Sequence, residues 1–150
     1  MEENEIELGV RRPSAERLQR AKEAAKTINW KKLRARPDIY VRETLALAEW
    51  PATMRIKLQA IRIGDLGIAA IPAEVFASTG LEIKQRSPLP QAFVIGLANG
   101  YEGYLPTPDQ HALGGYESWN ARSSYLEVDA SEKIRDEVLR LLRAVSIQAR

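Results

Sequence analysis

From Thr53 the chain alternates with a period of two. Met54, Ile56, Leu58 and Ala60 are apolar while Arg55, Lys57 and Gln59 are polar, which predicts a strand with one wet face. Ile61 and Ile63 break that phase and predict a bulge. Gly64-Asp65 reads as a turn that returns the chain into Leu66 to Ile71, a nearly continuous apolar run expected as a buried central strand. Pro72 then suits the first turn of a helix reaching about Arg86, with Val75, Phe76, Thr79 and Ile83 on one side. A glycine in mid-helix costs about 1 kcal/mol relative to alanine, so Gly80 predicts close approach of another backbone. Ser87-Pro88-Leu89-Pro90 is a stiff connector, and Ala92 to Ala98 read as a second buried strand.

Helical periods flank this centre. Ser14 can cap a helix from Ala15 to about Lys26 whose weakly apolar face is Leu18, Ala21, Ala25 and Ile28. Pro37 interrupts the pattern, and Asp38 offers a cap for a second helix through Ala48, with Ile39, Thr44, Leu45, Leu47 and Ala48 in contact; Trp50-Pro51 ends it. Near the C-terminus, Asp129 and Glu132 make a capping-box-like start, and Ile134, Val138, Leu141, Leu142 and Val145 trace one helix face. Beyond Asn99, Gly100, Gly103, Pro106 and Pro108 predict an irregular loop carrying Tyr101, Glu102 and Tyr104. The fold class expected is α/β, a mixed sheet with helices packed on it. No internal repeat, low-complexity segment or linker divides the chain.

Composition bounds the size of the unit. A chain of 150 residues, 45% hydrophobic and 28% charged, fits one globular domain or the C-terminal portion of a larger one. No apolar run approaches the roughly 18 residues of a membrane helix, and the acidic opening Glu2, Glu3, Glu5, Glu7 is the opposite of a signal-peptide start, so the compartment stays open. The absence of cysteine excludes disulfides and thiolate metal sites. With His111 the single histidine, any metal must be held by oxygen ligands or by groups outside this chain.

The net charge of +2 conceals an uneven distribution. Between Arg11 and Arg42 eleven Lys or Arg stand against Glu16, Glu23 and Asp38, eleven minus three, or +8. Residues 1–36 read as a basic helical N-terminal segment whose cations cover the wet side of a helix, with Trp30 among them. The same charge supports an alternative, a non-catalytic module docking on an anionic lipid surface, with nucleic acid the weaker candidate.

Chemistry concentrates around Glu74 and the tyrosines. Near the third position of the expected helix, a carboxylate is stabilised by the helix dipole by about 0.3 to 1 kcal/mol, which accounts for Glu74 without a site. A strand end joined to a helix start is equally a rigid mount for a metal-binding carboxylate. Tyr101, Tyr104 and Tyr116 read either as packed rings with wet hydroxyls or as polar groups of a cleft. The residue types alone leave both readings open.

Three segments, IPAEVF, FVIGLANGYEGYLPT and GGYES, together resemble the metal-site region of the neutral (non-lysosomal) ceramidase family, zinc-dependent amidases that release a fatty acid from an N-acyl sphingoid lipid. The resemblance runs from about Ala35 to the C-terminus. It implies that Glu74 is a zinc ligand, with Ala73 in place of the glycine of the usual Pro-Gly-Glu. It implies that Tyr104, the second tyrosine of Asn-x-Tyr-x-x-Tyr, is another ligand, ahead of Tyr101. Tyr116 matches the tyrosine whose hydroxyl lies by the substrate carbonyl, a catalytic role. The implied cofactor is Zn2+, completed by two histidines outside this chain; His111 matches neither and reads as a loop histidine. The implied function is a C-terminal fragment of a zinc amidohydrolase cleaving the amide of ceramide or a related N-acyl lipid, inactive alone. Its implied partners are the upstream part of the same catalytic domain, the N-acyl lipid and a membrane surface. An uncovered apolar surface would mark where the rest of that domain packs.

Overall fold

The alternating centre of the chain becomes a four-stranded sheet in the order β1-β2-β3-β5 in the computed structural model, which describes residues 1–32 and 36–147. Residues 33–35 of the basic segment, and with them the start of the family resemblance, lie outside the described residues. The strands are β1 (Glu2–Gly9), β2 (Thr53–Ile63), β3 (Leu66–Ala70) and β5 (Gln91–Ile95); a second sheet pairs β4 (Glu74–Val75) with β6 (Tyr104–Leu105). The helices are α1 (Ala15–Ala25), α2 (Arg36–Ala48), α3 (Ala77–Arg86), α4 (Pro108–Leu113) and α5 (Ala130–Ile147). The four-stranded sheet is mixed: β1-β2 and β2-β3 are antiparallel and β3-β5 is parallel. Among the described residues no helix is long and apolar enough to cross a membrane.

The core lies between the inner face of this sheet and α5. Ile56, Leu58 and Ala60 of β2 and Leu8 of β1 meet Ile134, Val138, Leu141, Leu142 and Val145, the face expected from their spacing. Each such buried aliphatic side chain contributes roughly 1.5–3 kcal/mol relative to an exposed one. The Ser14 hydroxyl accepts from the Arg17 backbone N–H, which fixes the start of α1, and the Arg17 side chain donates to the Thr44 hydroxyl of α2.

Several expectations are corrected. Glu2–Gly9 is a strand, not part of a helical segment, because Ile6 and Leu8 alternate with Glu5 and Glu7 and the outward carboxylates pair across to β2, Glu3 with Lys57 and Glu5 with Arg55. No bulge interrupts β2, whose register with β3 runs unbroken from Gln59 to Ile63. Ile61 and Ile63 keep the phase and simply place apolar side chains on the outer face. The second apolar strand is shorter than expected, ends at Ile95, and forms an edge with Phe93 and Ile95 exposed rather than a buried interior. The helix expected at Pro72 begins only at Ala77, since Glu74 and Val75 are drawn into pairing with β6. Gly80 has no backbone near it; a Cβ there would meet nothing within 4 Å. The expected loop contains α4, started by the Thr107 hydroxyl accepting from the Gln110 N–H with Pro108 in its first turn, and His111 stands on that helix.

Candidate metal centre

Pairing of β4 with β6 is what assembles the candidate residues. Glu74 and Tyr104, thirty positions apart, are direct partners across this two-stranded sheet. The Glu74 N–H donates to the Gly103 carbonyl at 2.8 Å, and the Glu102 N–H donates to the Pro72 carbonyl at 2.7 Å. On the other side, the Tyr104 N–H donates to the Ser123 carbonyl at 2.8 Å. Tyr104 is thus fixed between the Glu74 strand and residues 121–124.

The side chains converge as the backbone does. The Tyr101 hydroxyl donates to Glu74 Oε1 at 3.3 Å. The Tyr101 phenol is pushed up by partial burial and by the nearby Glu74 charge, which keeps it a donor at neutral pH. Tyr116, on a short 3-10 turn at Tyr116–Ser118, packs edge-on to Tyr104 with ring centroids 5.6 Å apart. Its phenol is pushed up to about 12, first by its interaction with Tyr104 and then by the Glu117 carboxylate. The structure therefore brings Glu74, Tyr101, Tyr104 and Tyr116 together. His111 is elsewhere, in the last turn of α4, where partial burial and the charge of Arg11 push its pKa down.

Glu74 and Tyr104 supply two oxygen donors from hydrogen-bonded strands, a hard donor pair that suits part of a zinc site. Among the described residues no group of three His, Cys, Asp or Glu forms a complete one. The donor set fits half a coordination sphere and needs further ligands.

Sequence reasoning missed the residues that hold this cluster. Arg11 donates to the carbonyls of Ser118, Ser124 and Leu126, and Arg17 donates to the Asn120 carbonyl, so two cations of the basic stretch clamp the segment after Tyr116. Arg20 and Lys26 pair with Glu16 and Glu23 on the surface of α1. Buried Glu43 of α2 takes the Arg122 guanidinium on both oxygens, at 2.8 and 2.9 Å, one residue before the Ser123 carbonyl that receives Tyr104. Buried Tyr125 donates to Glu102, between the two tyrosines. Apart from the two surface pairs of α1, none of these pairings has a local sequence signal, because each joins residues 23 or more positions apart.

The Glu43 pair carries a pH dependence. Hydrogen bonds from Arg122 hold the Glu43 carboxyl below its usual value, against burial, which pushes it up. A depressed folded-state pKa gives stability that is present above the unfolded carboxylate value and lost as pH falls through the folded one. Arg122 is part-exposed, so solvent screening keeps the pair to about 1.5 kcal/mol. Glu43→Gln is expected to cost that amount at pH 7 and to flatten the decline of stability below about pH 4 in urea titrations. Parallel wild-type and variant pH profiles would refute the assignment.

Fold and cluster together define a mixed α/β unit that presents a carboxylate and phenols from two paired strands and the loops beside them. No protein-family model matches the chain, and no curated protein matches it. Solved structures do. A neutral ceramidase from Pseudomonas aeruginosa superposes with a TM-score of 0.52 at 22% identity, over 63% of this chain and 15% of that one. A ceramidase complexed with C2 gives a TM-score of 0.53 at 21% identity, over 64% of this chain and 15% of that one. The chain therefore shares its fold with a part of these ceramidases and spans about 15% of their length.

Proposed function

We propose that this chain is the C-terminal part of the catalytic domain of a zinc-dependent amidohydrolase acting on ceramide or a related N-acyl lipid, and that it is inactive without the remainder. The observation that carries this reading is the pairing of Glu74 with Tyr104 across β4 and β6, with Tyr116 packed on Tyr104. The fold likeness to neutral ceramidases supports it. Zinc, when bound, polarises an amide carbonyl and activates water. Glu74 and Tyr104 would hold it together with two histidines from the remainder of the domain. The Tyr101 hydroxyl, donating to Glu74, orients the carboxylate. Tyr116, which keeps its proton at neutral pH, would in this reading donate a hydrogen bond to the carbonyl oxygen as charge develops there.

Zinc titration by calorimetry tests the reading, on this chain and on a Glu74→Ala, Tyr104→Phe double variant, each with and without the upstream polypeptide. Two oxygen ligands hold zinc weakly, so the chain alone is expected to bind poorly and the mixture tightly, with the gain abolished in the variant. Zinc binding indifferent to both the added polypeptide and the substitutions would overturn it.

A further inference from the structure

The two edges of the four-stranded sheet differ in kind. The β1 edge is guarded by Glu2, Glu3, Glu5 and Glu7, the usual means by which a strand edge avoids pairing with another chain. The β5 edge, QAFVI, carries no charge at all. Gln91 donates to Asp65 and Ile95 accepts from Ile71, so 91, 93 and 95 bond toward β3. The alternate residues Ala92 and Val94 therefore turn their N–H and C=O groups to the open side.

Both sides of this open edge are apolar. On the outer face Phe93 pairs with Ile68, which pairs in turn with Ile61, and Ile63 and Ile95 extend the patch; Phe93 is 36%, Ile95 44% and Ile63 63% exposed. On the inner face a groove of about 330 Å³ runs beside β5, lined mainly by apolar groups, Val75, Phe76, Gly80, Leu81 and Val94, with Lys84 its one charged residue. The missing side chain at Gly80, unexplained by any close backbone, leaves this groove open.

Backbone groups with no partner among the described residues, set between two largely apolar surfaces, specify their occupant: a β-strand, apolar on both faces, as in a buried interior strand. We infer that the sheet continues past β5 with such a strand, supplied by the remainder of the catalytic domain; this rests on the functional reading above. The matched ceramidases are long enough to provide it, since this chain spans only 15% of them. A second copy fits less well. Its β5 would present only Ala92 and Val94 to the groove, too little to fill it.

Residue-resolved hydrogen exchange by NMR tests the inference, on the chain alone and with the upstream polypeptide in excess. Alone, the Ala92 and Val94 amides are expected to exchange freely. In the mixture they slow by at least about ten-fold, as amides of a newly formed ladder do. Ala92→Pro, which removes only an outward donor, and Phe93→Lys on the exposed face should each abolish the slowing, while Glu74→Ala should leave it intact. Protection in the chain alone, rising with concentration alongside a dimer mass, would assign the edge to a second copy and overturn the inference. Absence of association, or zinc binding in the mixture with 92 and 94 still exchanging, would overturn it as well, the latter leaving the metal reading in place. Protection without zinc binding would uphold the strand and sink the metal site.

Discussion

Gly103→Ala is expected to destabilise the chain by about 3 kcal/mol, combining left-handed backbone strain with a steric clash. Gly103 stands at φ +71, a region that a residue with a Cβ enters at a cost, and an added Cβ would lie 2.3 Å from the Ser123 carbonyl oxygen. That carbonyl cannot retreat freely. It accepts the Tyr104 N–H, and Arg122 beside it is tied to buried Glu43. The Gly103 carbonyl in turn accepts the Glu74 N–H, so any shift that relieves the clash separates the two strands bearing the candidate ligands. Urea unfolding measures the loss. A loss of only about 1 kcal/mol, the left-handed strain alone, would mean that Ser123 yields and that the contact does not position Tyr104.

Elements with a sustained period were legible in the sequence, and elements defined by a distant partner were not. α5 was readable because five aliphatic residues fall on one helical face, and the β2-β3 hairpin because alternation is punctuated by Gly64-Asp65. β4 and β6 are two residues each, too short for any period, and exist because Glu74 and Val75 find Tyr104 and Leu105. Pro72 pointed to a helix start, and this long-range pairing overrode the local preference. The acidic residues of β1 drew attention as charge and hid the Ile6 and Leu8 alternation beneath them.

At the candidate site, the family resemblance singled out Glu74, Tyr104 and Tyr116, and the structure brings these three together from three separate elements. The supports from Arg11, Glu43 and Tyr125 were invisible, since a buried ion pair or phenol contact leaves no spacing rule to read. His111 illustrates the opposite error. Its Gly/Pro surroundings suggested a loop, while the Thr107-Pro108 dipeptide before it was a readable helix start.

Tyr116→Phe is expected to separate catalysis from metal binding. If the proposed function holds, then in the assembly with the upstream polypeptide kcat for N-acyl sphingosine hydrolysis should fall about 100-fold, the usual loss on deleting one oxyanion donor, while zinc affinity and KM stay unchanged. The expectation follows from position and proton. Tyr116 is exposed, and its ring contact is with Tyr104, so deleting its hydroxyl leaves the β4-β6 pairing and both proposed ligands in place. Its phenol, pushed up to about 12, stays protonated and able to donate throughout the neutral range, so loss of this proton should not limit wild-type activity at neutral pH. Tyr104→Phe makes the contrast, since it removes a proposed ligand and should weaken zinc binding and activity together. A Tyr116→Phe enzyme with full activity would reduce Tyr116 to a packing partner of Tyr104. One that lost zinc instead would make Tyr116 part of the coordination, and the division of labour among the three tyrosines would have to be redrawn.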